Sequence, residues 1–151
     1  AAIARVLARR LGRISPDDAM LAGLVHDIGI FYLLYRAAEY PEYRDNEPAM
    51  VELLVGWHES IGESLLEILG LPEQITLAVR DHDQPRTIET PCTVSDVLYF
   101  ANLLAADSEQ GLPGGISLEK AQALQADRER YSDLFDEAQD DIHELRAALA
   151  M

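Results

Sequence analysis

The chain has 151 residues, 48% of them hydrophobic, and a formal net charge of −15. This length and apolar content exclude a disordered protein and fit one domain with a sizeable core. The negative charge argues against binding nucleic acid through its phosphates and against binding an anionic membrane surface. Arginines crowd residues 5–13, which contain no acid, whereas acids crowd residues 127–144. We interpret these segments as solvated helix faces of opposite sign, with docking to another domain as the alternative.

Cysteine content and apolar run length bear on the compartment. Cys92 is the only cysteine, so no internal disulfide can form and a reducing, cytoplasmic compartment is predicted. No uninterrupted apolar run reaches the roughly 18 residues that span a bilayer, and no signal peptide is evident. The chain opens at Ala1 directly in an amphipathic pattern, which suggests a fragment of a longer protein.

The apolar spacing is helical almost throughout, without strand alternation or repeats, and predicts an all-α bundle. A first helix is expected over 1–11. A second begins at Ser15, a good N-cap followed by Pro16, and runs into His26, with Gly29 ending or bending it and a further apolar piece reaching about residue 40. It carries the apolar residues Met20, Leu21, Leu24 and Val25 up to His26.

The second half of the pattern predicts shorter helices separated by polar loops at 39–48 and 83–92. Helices are expected over 49–57, 58–69 and 72–82. Thr93 caps the next helix, with Asp96 in capping-box position. After a glycine-rich break at 109–115, acidic helices are expected within 117–150. The last of them carries an apolar seam, which favours core packing over a homodimer interface: Phe135, Ala138, Ile142, Leu145 and Leu149.

The stretch LAGLVHDIGIFYLL, residues 21–34, places His26 and Asp27 side by side in an apolar run. Burying an unpaired charge costs several kcal/mol, so such groups pair, reach water or bind a metal. His58, and His82 between two aspartates, also lie at the ends of helical patterns. Imidazole and carboxylate together suit a divalent transition metal. These residues alone leave open whether they form a metal site or are ordinary packed histidines.

AGLVHDIG, residues 22–29, resembles the central motif of the HD superfamily of metal-dependent phosphohydrolases. WHESIGESLLEILGLPEQITLAVRDHD, residues 57–83, resembles the second half of the HDOD domain, and VLYFANLLA, residues 97–105, resembles the helix that closes that family's core. The resemblance covers roughly residues 1–106 and implies an HD-like helical bundle. The acidic residues beyond it would complete a single domain over 1–151.

The resemblance implies site residues position by position. His26 and Asp27 match the paired metal ligands, His58 matches the histidine of a His-x-x-x-Gly motif, and His82 matches the first residue of a histidine pair. The departures are at three positions: Asp83 replaces the second histidine, Asn102 stands where active hydrolases have a ligating Asp, and Ile30 stands where many have Lys. Losing these groups strips charge and basicity from the site and removes a phosphate-polarising cation.

The resemblance therefore favours a non-catalytic bacterial signalling module that acts through contacts with other signalling proteins or attached signalling domains, with a divalent metal or small ligand as a candidate occupant of the old cleft. One alternative is a working phosphohydrolase for a nucleotide or cyclic dinucleotide, in which Arg80 and Arg86 meet the phosphate. Another is an inert interaction or oligomerisation domain that uses the seam near Ile142.

Overall fold

A computed structural model describes residues 1–84 and 86–106, together with the isolated positions 139, 143, 147 and 148. This part of the chain contains helices and no strand, as predicted for an all-α fold. The helices in chain order are α1 (Ala2–Leu11), α2 (Pro16–Val25), α3 (Ile28–Ala37), α4 (Pro41–Arg44), α5 (Glu47–Ile68), α6 (Glu73–Asp81) and α7 (Val94–Ala106).

Local capping residues account for the end of α1 and the start of α2. Gly12 ends α1 in the left-handed conformation, with φ of 68°, which favours glycine. Ser15 caps α2 by accepting a hydrogen bond from the backbone N–H of Asp18 at 3.2 Å, and Pro16 occupies the first helical position. These two signals fix the tight corner between α1 and α2.

The fully buried residues of α2 are small, namely Ala19, Ala22 and Gly23. Of the large apolar residues on this helix, Met20 and Val25 are half-buried, whereas Leu24 is 62% exposed and Leu21 is also exposed. A Cβ atom on Gly23 would lie 2.6 Å from the backbone of Ala1. The small residues therefore let α2 lie close to α1, and that close approach leaves the large leucines outside.

The bend after α2 lies at His26–Asp27, before the predicted position at Gly29. Gly29 is instead buried in the first turn of α3, where it faces α5. A Cβ atom on it would lie 2.8 Å from the carbonyl carbon of His58 and 2.9 Å from the backbone nitrogen of Gly62. Glycine is needed here for close backbone approach rather than for a turn.

One helix, α5, runs from Glu47 to Ile68 where two were predicted. The predicted division lay between residues 57 and 58, but the helix continues through them. The nearby Gly56 is exposed, and nothing lies within 4 Å of a Cβ built on it. A mid-helix glycine costs only about 1 kcal/mol, which a 22-residue helix tolerates. His58 is thereby placed in the middle of a helix.

The core has two parts. The larger cluster is formed by α1, α2, α6 and α7 with Leu66 of α5, and Tyr99 is among its largest buried side chains. A smaller cluster joins α3 to α5 through Ile30, Leu33 and Leu54. The turn between α2 and α3 lies where these two parts of the molecule meet.

α7 begins with the predicted capping box. The backbone N–H of Asp96 donates to Thr93 Oγ1 at 3.1 Å, and the N–H of Thr93 donates back to Asp96 Oδ2 at 2.9 Å. The apolar seam and most of the predicted helices over 117–150 fall outside the described residues. Four positions of that range are described, and all are helical and exposed: Gln139, His143, Ala147 and Ala148.

The described residues include one segment that could cross a membrane by length and composition alone. The 22 residues Pro16–Ala37, which cover α2, the turn and α3, are long and apolar enough. One such segment is weak evidence for a membrane span, because core helices of soluble proteins pass the same test. Here the segment bends at His26–Asp27 and contributes to both parts of the core.

Candidate metal site

Three of the four histidines meet where α2 ends, α5 passes and α6 ends. The ring centroids of His26 and His82 lie 5.2 Å apart, and those of His58 and His82 lie 5.3 Å apart, both pairs edge to face. His82 is therefore the central member. It is also the most buried of them, at 2% exposed.

The backbone fixes the orientation of each ring. The Nδ1 atoms of His26, His58 and His82 lie 3.0, 2.9 and 2.6 Å from the carbonyl oxygens of Gly23, Leu54 and Val79. A carbonyl can only accept, so each Nδ1 carries a hydrogen. Nε2 of His26 then carries a second hydrogen when it donates to Asp27 at 3.0 Å, and loss of the Nε2 hydrogen from any of the three rings would leave a lone pair that can bind a metal. Metal-ligating histidines are commonly oriented in this way.

Asp27 bridges two of these rings. Its Oδ2 lies 3.0 Å from His26 Nε2, and its Oδ1 lies 3.9 Å from His82 Nε2. The two neighbours thus pair directly, which the turn between α2 and α3 makes feasible. Burial raises the pKa of Asp27, but the hydrogen bond from His26 and the charges of the three histidines outweigh it and hold that pKa below its usual range.

Asp83 lies on the other side of His82. Its Oδ2 is 3.5 Å from His58 Nε2 and 3.8 Å from His82 Nε2. Its Oδ1 accepts a hydrogen bond from Asn102 Nδ2 at 2.8 Å. Two of the three positions that the sequence predicts to depart from the family pattern are thus in direct contact.

The surroundings shift the two inner histidines in opposite directions. Burial lowers the pKa of His58, but Asp83 and the Leu54 carbonyl outweigh burial and raise it. Burial lowers the pKa of His82, and the positive charges of His26 and His58 lower it further, against the opposing effect of Asp83. The lowered pKa favours the neutral form of His82, which is the form that binds a metal.

Glu59 is a member of the site that the sequence analysis missed. Together with His58 and His82 it can place one donor atom within 4.8 Å of the others, and His26, Asp27 and His82 form a second such group. Glu59 also accepts hydrogen bonds from the backbone N–H of Asp83 at 3.2 Å and from Gln84 at 2.7 Å. The only sequence signal for Glu59 was its position next to His58. That signal does not single it out, because α5 carries other glutamates.

The donor set fits a divalent transition metal. Neutral imidazole nitrogens combined with carboxylate oxygens are typical ligands for such ions and not for Ca²⁺ or Mg²⁺. His58 Nε2 is buried and has no hydrogen-bond partner among the described residues, so a cation would satisfy an otherwise costly polar atom. His26, Asp27 and His82 would hold one ion, with His58 and Glu59 beside it.

The two candidate phosphate-binding arginines are engaged by acids. Arg80 is exposed and lies 2.7 Å from Asp81 and 3.5 Å from Glu63. Arg86 lies 3.5 Å from Asp81 and 3.3 Å from Asp96. None of these ion pairs joins Arg80 or Arg86 to one of the three histidines.

Comparison with protein-family models identifies the family of the chain. The family model of the HDOD domain matches residues 1–85. The chain belongs to the HDOD domain family. No curated protein and no solved structure matches it. This HDOD domain is thereby a module related to the HD superfamily, as the motif around His26 and Asp27 suggested.

The family match covers the helices that supply the three histidines and Asp83 of this HDOD domain. It ends before Asn102, whose equivalence to a ligating aspartate stays a prediction from the sequence. The contact between Asn102 and Asp83 nevertheless places α7 beside the cluster. Ile30, which the sequence predicts to stand at the position of the hydrolases' lysine, is buried with Leu33 and Leu54.

Proposed function

We propose that this HDOD domain is a non-catalytic regulatory module that acts through protein contacts and whose HD-type cleft serves as a divalent metal site of structural character. The observation that carries the proposal is the hydrogen bond from Asn102 to Asp83, 2.8 Å long. The sequence resemblance aligns Asn102 with a ligating carboxylate of active hydrolases. In this chain the position has an amide, and that amide donates a hydrogen bond to the neighbouring Asp83.

The groups that would activate a phosphoester support the same conclusion. Hydrolysis needs cations directed at the charge that develops on the phosphoryl oxygens. Ile30 is apolar and packed in the smaller core cluster, and Arg80 and Arg86 are paired with acids. Many carboxylates and few available cations near the cleft would repel an anionic substrate.

A divalent metal bound at this site would supply a positive charge that offsets the carboxylates. The residues that hold it come from the α2–α3 turn, from α5 and from the end of α6, so binding would fix these three elements relative to one another. Stabilisation by a ligand that binds only the folded state follows from mass action. The role of the site would then be to stabilise the arrangement of these three elements and not to turn over a substrate.

The outer surface of α3 supports a role in protein contacts. Phe31 is 68% exposed and Tyr35 is 71% exposed, one turn apart on the side of α3 opposite to Ile30 and Leu33. Large exposed aromatic side chains of this kind are enriched where proteins bind other proteins. The attached or separate signalling protein expected from the sequence could bind here.

The test combines a hydrolysis assay with metal analysis on untagged protein. Bis(p-nitrophenyl) phosphate and cyclic dinucleotides are incubated with the wild type and with Asp27→Ala, in the presence of Mn²⁺. We expect no turnover above the variant, together with about one metal ion per wild-type chain and none in Asp27→Ala. Hydrolysis by the wild type that disappears in Asp27→Ala would refute a non-catalytic function.

A working phosphohydrolase is the second candidate, because three histidines and Asp27 do converge. The hydrolysis assay decides between the two. The third hypothesis, an inert oligomerisation domain, depends on a seam outside the described residues. Light scattering of Ile142→Asp tests it, since an unchanged mass would count against it.

A further inference from the structure

We propose that Asp83 supplies a further carboxylate to the metal site, on the side of His82 opposite Asp27 and in place of the ligand that is absent at position 102, and that Asn102 is the residue that positions it. This inference rests on the proposed metal site and assigns two residues to it. Neither of the two compact donor groups at the site contains Asp83. Its role follows from the direction in which its carboxylate is held.

Each oxygen of the Asp83 carboxylate has a different partner. Oδ1 accepts the amide hydrogen of Asn102 at 2.8 Å. Oδ2 lies 3.5 Å from His58 Nε2 and 3.8 Å from His82 Nε2. The hydrogen bond from Asn102 thus orients the carboxylate so that one oxygen faces the two imidazole Nε2 atoms, as a monodentate ligand requires.

The distances agree with a shared cation. Two donors bound to one ion at about 2.1 Å, with angles from about 90° to 180°, lie roughly 3 to 4 Å apart. The separations of Asp83 Oδ2 from the two histidine nitrogens fall in this range, and so does the 3.9 Å between Asp27 Oδ1 and His82 Nε2. His82 therefore lies between a carboxylate from each side.

His58 Nε2 provides an independent reason to place an ion here. His58 is only 5% exposed, and this nitrogen has no hydrogen-bond partner within the described ranges. Its Nδ1 is fixed by the Leu54 carbonyl, so the ring cannot turn to satisfy Nε2 elsewhere. A cation held between His58 and Asp83 would satisfy both groups.

The backbone around Asp83 also restricts it. Its N–H donates to Glu59 Oε1 at 3.2 Å, and the next side chain, Gln84, donates to Glu59 Oε2 at 2.7 Å. Glu59 thereby ties the chain that leaves α6 to α5. Asp83 is held at both its backbone and its side chain, which is the preorganisation that a ligand position needs.

The test is a titration of untagged, chelator-treated protein with Zn²⁺ in competition with a chromophoric chelator. Asp83→Asn keeps the size of the side chain and removes its charge, and we expect Zn²⁺ affinity to fall at least tenfold. Asp81→Asn is the matched control, because Asp81 flanks His82 on the other side but pairs with Arg80 and Arg86. Its affinity should stay within about twofold of the wild type.

Asn102→Ala tests the positioning role. We expect affinity to fall about 10-fold to 100-fold, as for other residues that orient a ligand, and the double variant with Asp83→Asn to bind no more weakly than Asp83→Asn alone. A residue that acts only on folding would instead lower the melting temperature in excess EDTA and leave the Zn²⁺ affinity of the folded protein unchanged.

Three outcomes would overturn the inference: wild-type Zn²⁺ affinity in Asp83→Asn, additive losses in the double variant, or no Zn²⁺ binding by the wild type. Asp27→Ala distinguishes a misassigned ligand from a missing site, since Zn²⁺ binding that is lost in Asp27→Ala but kept in Asp83→Asn leaves the metal site in place. Hydrolysis by the wild type would refute the non-catalytic function. It would not affect the ligand role of Asp83, which the Zn²⁺ titration tests separately.

Discussion

His58 and His82 stand edge to face, 5.3 Å between ring centroids, and each is held through Nδ1 by a carbonyl of its own helix. Two consecutive helices, α5 and α6, therefore bring the Nε2 atoms of their histidines to the same Asp83 carboxylate oxygen. Because the hydrogen bonds are to the backbone, the orientation of both rings depends on the positions of α5 and α6 and not on other side chains. His82 belongs to both groups of candidate ligands.

We expect His82→Gln to abolish metal binding, lowering affinity at least 100-fold, because it removes the donor that both groups share. Metal content of untagged protein, measured by mass spectrometry of the metals, checks this. His143→Gln is the control, since His143 is exposed and is the one histidine outside the cluster. Equal metal content in His82→Gln and the wild type would contradict the assignment.

The approach of α3 to α5 predicts the effect of adding one methyl group. In Gly29→Ala the new Cβ would lie 2.8 Å from the carbonyl carbon of His58, so the helices must separate. We expect the free energy of unfolding to fall by about 1–3 kcal/mol, measured by urea denaturation, with weaker metal binding because His58 moves.

Gly56→Ala is the matched control for this substitution. Gly56 lies on α5 as well, and a Cβ there has no neighbour within 4 Å. Alanine should therefore raise the free energy of unfolding by about 0.5–1 kcal/mol through helix propensity. If both alanines had the same effect, close packing at Gly29 would not be the cause.

The sequence predicts the helices and the three histidines well, because caps and motif spacing are local signals. Ser15, Gly12 and the Thr93–Asp96 box determine helix ends through contacts within four residues. The glycine of the His-x-x-x-Gly motif, Gly62, is one of the positions where α5 comes close to other helices, since it faces both Gly29 and Val79.

The features that the sequence did not predict depend on contacts between distant elements. Which face of α2 is buried depends on how closely α1 approaches. The small residues of α2 are buried there, and Leu24 is exposed. Glu59 belongs to the site only because the chain after α6 returns beside α5. The pairing of Asn102 with Asp83 likewise depends on where α7 docks, which apolar periodicity does not encode.

Neighbouring residues of α3 should respond oppositely to truncation. Ile30 is 8% exposed and packs in the smaller cluster, whereas Phe31 is 68% exposed. Ile30→Ala should lower the free energy of unfolding by about 2–4 kcal/mol through lost burial and cavity formation. Phe31→Ala should change it by no more than about 0.5 kcal/mol. A large loss in Phe31→Ala would mean that this face is covered rather than available for a partner.

The carboxylate at the start of α7 predicts how stability responds to acid. Asp96 Oδ2 accepts from the backbone N–H groups of Cys92 and Thr93 at 3.0 and 2.9 Å, and Oδ1 lies 3.3 Å from Arg86 Nη1. Burial raises the pKa of Asp96, but these hydrogen bonds and the Arg86 charge outweigh burial and hold that pKa below its usual range. Since the pKa is lower in the folded state, the stabilisation is present above the unfolded-state pKa and is lost as the pH falls through the folded-state pKa.

Asp96→Asn should therefore lower the free energy of unfolding by about 2 kcal/mol at neutral pH, because a charged cap and its hydrogen bonds are replaced by a neutral amide. The difference from the wild type should stay constant down to about pH 5 and shrink below about pH 4, where the carboxyl of the unfolded chain is protonated. Urea denaturation at a series of pH values measures it. Asp45→Asn serves as the control: Asp45 pairs with Arg44 on the exposed surface, so its effect should stay within about 0.5 kcal/mol. A difference for Asp96→Asn that grew on acidification would show that the carboxylate does not stabilise the folded state.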